Sequence, residues 1–307
     1  MRKFIRQVVF FMLPIIVLGI AAEALLRHIP NDYAYKRAYL DRNASNIEVL
    51  FLGSSHAFYG INPEFISARS FNASHPSQSI NYDFEILKKY ENHWQNLKCI
   101  VVPIDYFSLY STLETGAEFW RVKNYTIYYG LDASNKMKDY AELLSNKLTV
   151  NIGRLRGYYL KNEQNLSCTP LGWGFGYNSK NNQNLEKTGE LAAKRHFVNG
   201  DAACFAANIQ VLKQIVAFAR TRNIKVILYT SPAYETYVSH LDSLQLARTV
   251  AAVSELTQQF DNVSYSNLLS DKSFAALDFF DADHVNEIGA KKLTTKMDSL
   301  FELKMRH

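Results

Sequence analysis

The chain has 307 residues, of which 48% are apolar, so it can bury a substantial core as one domain with an insertion or as two small domains. It carries 34 basic and 29 acidic residues, and four of the basic ones lie within the first thirty residues. The remainder is close to neutral and has no basic stripe, which argues against a nucleic-acid-binding protein.

The N-terminal segment carries an apolar run over residues 8–26, interrupted only by Glu23. Such a run is just long enough to cross a bilayer, and the three basic residues before it are typical of a flank that stays in the cytoplasm. The segment 1–28 is therefore predicted to be a signal anchor, and 29–46 a linker. The alternatives are a buried helix and a cleaved signal peptide. We expect a single-pass membrane protein whose main domain is extracytoplasmic, either periplasmic or extracellular.

The first predicted strand is the short apolar run Val49–Leu52, which Gly53 and two serines end. A run that is apolar at every position is typical of a strand covered on both faces, as in a parallel sheet. Side chains that follow such a strand reach the cleft at the carboxyl edge of the sheet. A serine placed there can act as a nucleophile when a histidine reaches it.

The next elements alternate between strand and helix. A second strand is predicted at 70–74, a helix at 82–97 and a buried strand at 99–105. After a long interval come a helix at 206–222, a strand at 224–229, a helix at 244–260, a short strand at 263–265 and a C-terminal helix at 287–303. This order predicts an α/β fold with a parallel sheet.

Residues 107–203 break the alternation and are predicted to form an aromatic-rich insertion. Exposed aromatic rings beside amide side chains suit carbohydrate binding, and Trp173, within a glycine-punctuated loop, is the strongest candidate. The alternative is that most of these aromatics pack a small helical subdomain. His196 is a weaker candidate and is more typical of a surface histidine.

Two motifs at opposite ends of the main domain carry a resemblance to a known family. Gly53-Ser54-Ser55-His56 and Asp281-Ala282-Asp283-His284 resemble the first and last blocks of the SGNH/GDSL hydrolase superfamily. The first block is most similar to the membrane-anchored branch related to polysaccharide O-acetylation proteins. The resemblance implies a three-layer α/β/α sandwich with a parallel sheet over residues 47–307, interrupted by the insertion.

The resemblance also implies roles for individual residues. Ser55 is the expected nucleophile, His284 its base and Asp281 the acid that orients the base. Ser54 is the rival nucleophile and Asp283 the rival acid. Asp283 would point to the opposite side if the segment were extended.

Two further blocks of the superfamily supply oxyanion donors, and this chain departs from both. The backbone amides of Ser55 and Ser77 are the expected donors, although Ser77 stands where the family has a glycine. Asp105 stands near the position of an asparagine donor, and an ionised carboxylate cannot donate. His56, Asp105, Trp173 and Tyr234 are predicted to contact substrate.

Cysteine usage decides little, although Cys168 and Cys204 could pair outside the cytoplasm. No cysteine–histidine cluster has zinc spacing, so neither a metal nor another cofactor is expected.

The sequence thus predicts serine-dependent acyl-ester chemistry, by an O-acyltransferase or an esterase, on an exported or cell-surface polysaccharide. The expected partners are a glycan or acylated carbohydrate, the membrane and a membrane protein that donates the acyl group. The alternative is a non-catalytic protein that binds glycan or scaffolds a surface-polymer system.

Overall fold

The computed structural model describes residues 1–198 and 202–305. The chain forms two compact units. The helical unit consists of Met1–Ala38 and Phe119–Leu166, and the sheet unit of Tyr39–Glu118 and Ser167–His307.

Seven strands are described. They are β1 (Val49–Phe51), β2 (Ser70–Asn72), β3 (Cys99–Pro103), β4 (Lys225–Thr230), β5 (Val263–Asn267), β6 (Phe279–Asp281) and β7 (His284–Val285). The first five form one parallel sheet in the order β2-β1-β3-β4-β5, and β6 and β7 form an antiparallel pair. The predicted parallel sheet is therefore confirmed, whereas the short antiparallel pair had no sequence prediction.

The α-helices in the described residues follow in chain order. They are α1 (Arg2–His28), α2 (Asp32–Asn43), α3 (Ser55–Gly60), α4 (Ile80–Lys89), α5 (Val122–Asn124), α6 (Glu142–Ser145), α7 (Leu148–Lys161), α8 (Leu185–His196), α9 (Ala202–Arg220), α10 (Glu235–Val238), α11 (Ser243–Gln259) and α12 (Glu287–Met305). Short 3-10 turns and one π-helical turn, Tyr125–Tyr129, complete the secondary structure.

The central strands of the sheet are buried on both faces. On one face, Val49, Phe51 and the equivalent residues of β3 and β4 form a core with Leu293 and Met297 of α12. The alternate residues, such as Leu50 and Ile100, are also fully buried, and α9 contacts β4 while it packs against α4. The central strands β1, β3 and β4 are therefore almost wholly apolar, because neither of their faces meets water.

The helices and compact units can be located within the predicted segments. The segment 29–46, predicted to be a linker, contains α2. Of the predicted insertion at 107–203, residues 119–166 belong to the helical unit, whereas 107–118 and 167–198 belong to the sheet unit. Within the helical unit, Tyr125 and Tyr129 are fully buried and both contact Tyr33 edge-on. For these aromatics the packing alternative is the one observed.

Within the residues that the structure describes, two helices, α1 and α9, are long and apolar enough to cross a membrane. Leu212, Ile215 and Val216 of α9 are buried within the protein, as in the core helix of a globular unit. The apolar residues of α1 are instead exposed along nearly the whole helix. By length and composition, α1 is a candidate membrane span or signal segment.

Candidate active site

Ser55 reaches the carboxyl edge of the sheet because the chain turns sharply after β1. Gly53 has a φ of +110°, and a Cβ atom there would lie 2.5 Å from the ring carbons of Pro103. Only glycine fits this conformation and this space without strain. The backbone N–H of Gly53 donates to the buried carboxyl of Asp83 over 2.8 Å, which fixes the turn, and Ser55 then begins α3.

The structure brings together the three residues predicted from the two end motifs. The Oγ atom of Ser55 lies 2.8 Å from Nε2 of His284, and Nδ1 of His284 lies 3.0 Å from Oδ1 of Asp281. The backbone N–H of His284 also donates to Asp281 Oδ1, over 2.8 Å. One carboxylate thus holds both the backbone and the ring of His284, and the ring directs its other nitrogen at the serine hydroxyl.

Asp283 does not point away from this group. Residues 282 and 283 form a turn rather than an extended segment, and Oδ2 of Asp283 lies 3.6 Å from His284 Nδ1. The same oxygen lies 3.6 Å from Nε2 of His56 and 3.5 Å from the Arg195 guanidinium. Asp283 is therefore a buried second carboxylate beside His284, and Asp281 is the closer of the two.

These carboxylates set the charge of the site. Burial acts to lower the pKa of His284, but Asp283 and Asp281 outweigh it and raise that pKa to about 10. Burial acts to raise the pKa of Asp283, and the neighbouring His284 nevertheless holds it well below its usual range. The imidazolium form of His284 is thus strongly favoured, and its neutral form is scarce at neutral pH.

His56 and Asp105, both predicted to contact substrate, form a buried pair with each other. His56 Nδ1 lies 2.8 Å from Asp105 Oδ2, and Asp105 Oδ1 accepts a hydrogen bond from the backbone of Ser231 over 2.8 Å. Burial opposes the charge on each partner, yet the pKa of His56 is raised and that of Asp105 is lowered because the two attract each other. The His56 ring meets the His284 ring edge-on at 4.6 Å. The His56–Asp105 pair is therefore in direct contact with the His284 ring through His56.

Ser77 adopts the backbone conformation that glycine favours. Its φ is +60°, and its hydroxyl donates to Glu118 over 2.5 Å. The nearby His75 N–H donates to the carbonyl of Gly53 over 3.2 Å, which holds this turn beside the start of α3. The left-handed conformation therefore costs strain in a serine, which has a Cβ atom.

Trp173 and Tyr234, the other two residues predicted to contact substrate, have different neighbours. Trp173 is half-buried, packs against the core and donates its indole N–H to the carbonyl of Tyr59 over 2.7 Å. Its loop is held by a β-bridge between Cys168 and Gly174, and no disulfide joins Cys168 to Cys204. The Tyr234 N–H donates to Ala282 O over 2.8 Å, next to the turn that carries Asp283.

Three aromatic rings beside His284 had no predicted role as a group. Tyr177 stacks between Tyr59 and Phe280, with ring centroids 3.7 and 3.9 Å apart, and its edge faces His284 at 5.2 Å. Each ring is partly exposed. Their sequence signals are that Tyr59 follows the first motif, that Phe280 precedes Asp281 and that Tyr177 belongs to the aromatic-rich insertion. Sequence alone gave no reason to place Tyr177 between them.

His196 is not a surface histidine, contrary to the prediction. Its side chain is only 14% exposed, and its Nδ1 lies 2.9 Å from the Tyr237 hydroxyl and 3.9 Å from Asp283. Burial lowers the pKa of His196 to about 3, so this ring is neutral. His196 is buried because α8 packs against α10, and no local sequence pattern predicts that contact.

Comparison with known proteins finds similar solved structures only. No family model and no curated protein matches the chain. A structure described as a platelet activating factor from Streptococcus pneumonia is 10% identical, with a TM-score of 0.45, over 95% of this chain and 98% of that one. A GDSL-like lipase from Bacteroides thetaiotaomicron is 10% identical, with a TM-score of 0.39, over 89% and 98%. A structure described as an acylhydrolase from Bacteroides fragilis is 12% identical, with a TM-score of 0.39, over 87% and 94%.

The chain has an α/β fold: a five-stranded parallel sheet between helices, with Ser55 after the first strand and His284 just before the last helix.

Proposed function

We propose that this protein carries out serine-dependent acyl-ester chemistry on a carbohydrate, with Ser55 as nucleophile, His284 as base and Asp281 as the acid that orients it. The observation that carries the proposal is the 2.8 Å contact between Ser55 Oγ and His284 Nε2, on a ring whose other nitrogen Asp281 holds. A serine hydroxyl is a weak nucleophile until a base takes its proton, and this contact supplies the base.

The first half-reaction forms an acyl-enzyme. Neutral His284 takes the proton of Ser55 as the serine oxygen attacks the ester carbonyl. The backbone amides of Ser55 and Ser77 face the oxyanion, and loss of one such donor typically costs about 100- to 1000-fold in rate. The imidazolium then gives its proton to the departing alcohol, and the acyl group stays on Ser55.

The second half-reaction returns the free enzyme. Water or a sugar hydroxyl attacks the acyl-serine, His284 takes the proton of the attacking group, and the departing Ser55 oxygen receives it. Water yields the free acid, and a sugar hydroxyl yields an acylated sugar. The carboxylates of Asp281 and Asp283 favour the imidazolium that forms twice in this cycle.

A carbohydrate substrate is supported by the surface next to His284. The partly exposed stack of Tyr59, Tyr177 and Phe280 offers apolar faces of the kind that cover sugar C–H groups. The exposed apolar helix α1 supports a place at a membrane, where exported or surface polysaccharides pass. An acyl donor presented by a membrane protein is consistent with that place.

The test is to give the purified full-length chain, in detergent, an activated acetyl ester with and without oligosaccharides of surface polymers. A transferase is expected to release acetate slowly alone and to produce acetylated oligosaccharide when the acceptor is present. An esterase is expected to release acetate quickly whether or not the acceptor is there.

Variants decide whether the chemistry runs through Ser55. Ser55→Ala is expected to lower kcat by several orders of magnitude, as loss of a catalytic serine does, whereas the matched control Ser54→Ala keeps most of the activity. Turnover that survives Ser55→Ala would refute the proposed mechanism. Glycan binding by a folded protein that never turns over an ester would favour the non-catalytic alternative.

A further inference from the structure

Helix α7 in the helical unit carries an apolar stripe that the protein leaves uncovered. Leu148, Ile152, Leu155 and Tyr159 recur at the spacing of one helix face. Leu148 is 69% exposed, Ile152 45% and Tyr159 40%, whereas Leu155 is only partly exposed; Leu144, just before α7, is 63% exposed. A helix on the surface of a water-soluble protein buries such a stripe.

The polar groups of the same region are turned inward instead. Glu142 is fully buried, and its carboxylate accepts hydrogen bonds from Arg154 over 2.5 Å, from the Tyr128 hydroxyl over 2.6 Å and from buried Lys123. Asn151 of α7 is also buried and donates to the Glu142 carbonyl over 3.2 Å. These hydrogen bonds fix the rotation of α7 about its own axis. Its apolar stripe therefore faces outward.

The end of α1 is docked to this region. The Glu23 carboxylate accepts hydrogen bonds from the backbone amides of Glu142 and Leu143, over 3.0 and 2.9 Å. Tyr159 of α7 donates its hydroxyl to the carbonyl of Leu25 over 3.1 Å. The apolar stripe of α7 therefore lies beside the last turns of α1, whose preceding residues are almost all apolar and exposed.

We propose that the outer face of α7 is a membrane-binding surface, which lies in the bilayer interface next to the point where α1 leaves the lipid. An amphipathic helix binds an interface when its apolar face enters the boundary between headgroups and acyl chains. The exposed basic residues Lys147 and Arg156 of this region suit anionic headgroups. Tyr159, with an apolar ring and a polar hydroxyl, is a residue type enriched at that depth. The helical unit thereby lies on the membrane surface and is not attached to it through α1 alone. This inference does not depend on the proposed acyl chemistry.

The experiment places an environment-sensitive fluorophore on single cysteines of the full-length chain in vesicles of zwitterionic and anionic phospholipids. The background variant is Cys204→Ser, because Cys99 and Cys168 are buried. The labelled variants are Leu148→Cys and Ile152→Cys, with Leu18→Cys in α1 as the control within lipid and Lys187→Cys, at an exposed position of α8, as the aqueous control. Quenching by lipids that carry nitroxides at the headgroup or deep in the acyl chain reports the depth.

The labels at 148 and 152 are expected to show blue-shifted emission and quenching by shallow nitroxides, while the label at 18 is quenched by deep ones and the label at 187 by neither. Adding anionic lipid is expected to strengthen the shallow quenching. If the labels at 148 and 152 behave like the one at 187 while the one at 18 is quenched, the inference is overturned although α1 crosses the membrane. Blue-shifted emission without lipid quenching would show that protein covers the face, and would also overturn it. Absence of quenching at all four positions would remove the membrane from both helices.

Discussion

Oδ2 of Asp283 lies 3.6 Å from Nδ1 of His284, the same nitrogen that Oδ1 of Asp281 meets at 3.0 Å. Two carboxylates therefore share one edge of one imidazole, and the nearer is placed for a hydrogen bond while the farther acts through its charge. This division gives the two residues separable effects on activity.

We expect Asp283→Asn to move the acid limb of the pH–activity profile to lower pH. Only neutral His284 can take the proton of Ser55, and Asp283 is a main cause of a His284 pKa near 10. Removing its charge lowers that pKa, so more of the base is available at neutral pH. The measurement is kcat/KM for an activated ester between pH 6 and 10. An acid limb that stays at the same pH would contradict the proposed effect of the Asp283 charge on the His284 pKa.

Asp281→Asn is the matched variant and is expected to behave differently. It removes the carboxylate that holds both the ring and the backbone of His284, so kcat should fall by roughly 10⁴-fold, as in other serine enzymes. The loss should remain at high pH, where deprotonation of His284 no longer limits the rate. Equal losses in the two variants would show that the carboxylates are not separable.

The strain at Ser77 can be measured by comparing Ser77→Gly with Ser77→Ala. Both variants lose the hydroxyl bond to Glu118, but only alanine keeps a Cβ at a φ of +60°. Ser77→Gly should therefore unfold with a free energy about 1 kcal/mol higher than Ser77→Ala. Since the proposed donor is the backbone amide, kcat should stay within severalfold of the parent in both. A 100-fold loss in either would mean that the hydroxyl itself matters.

Gly53→Ala should destabilise the protein and abolish activity together. A Cβ at Gly53 meets the ring of Pro103 at 2.5 Å, and the φ of +110° adds about 1–3 kcal/mol of backbone strain. Urea unfolding in detergent, followed by circular dichroism, measures the change. Gly176→Ala is the control, because its Cβ would meet only one atom at 3.9 Å. A Gly53→Ala protein as stable as this control would show that the turn relaxes freely.

Asp83 predicts a pH dependence of stability. Burial raises its pKa to about 7, although Gln78 and the Gly53 N–H favour its charged form, whereas an unfolded aspartate titrates near pH ~3.9. The folded state therefore holds more protons between these values, and this contribution to the free energy of unfolding falls as pH rises from about 4 to about 7.

Asp83→Asn should remove that contribution, because its amide oxygen can still accept both hydrogen bonds that Oδ1 of Asp83 accepts. Unfolding free energies at pH 4.5, 6 and 8 test it, with exposed Asp261→Asn as control. An unchanged slope in Asp83→Asn would contradict the assignment.

The sequence by itself determined the parallel sheet, the turn that carries Ser55 after its first strand, and the spacing of Asp281 and His284 just before the last helix. Apolar runs of three to five residues predict strands covered on both faces, and such runs can be recognised from a short segment of sequence. A turn such as Gly53-Ser54-Ser55 after a strand is equally local, and the three-residue spacing from Asp281 to His284 allows one carboxylate to hold both backbone and ring.

The tertiary structure alone decided the surroundings of these residues. Asp283 faces His56 and His284 because β6 and β7 pair in a tight turn, and His56 meets Asp105 across 49 positions of sequence. The outward stripe of α7 and the stacking of Tyr177 on Tyr59 likewise depend on how helices and loops pack. Such contacts are set by the sum of many weak interactions across the chain, so no short segment encodes them.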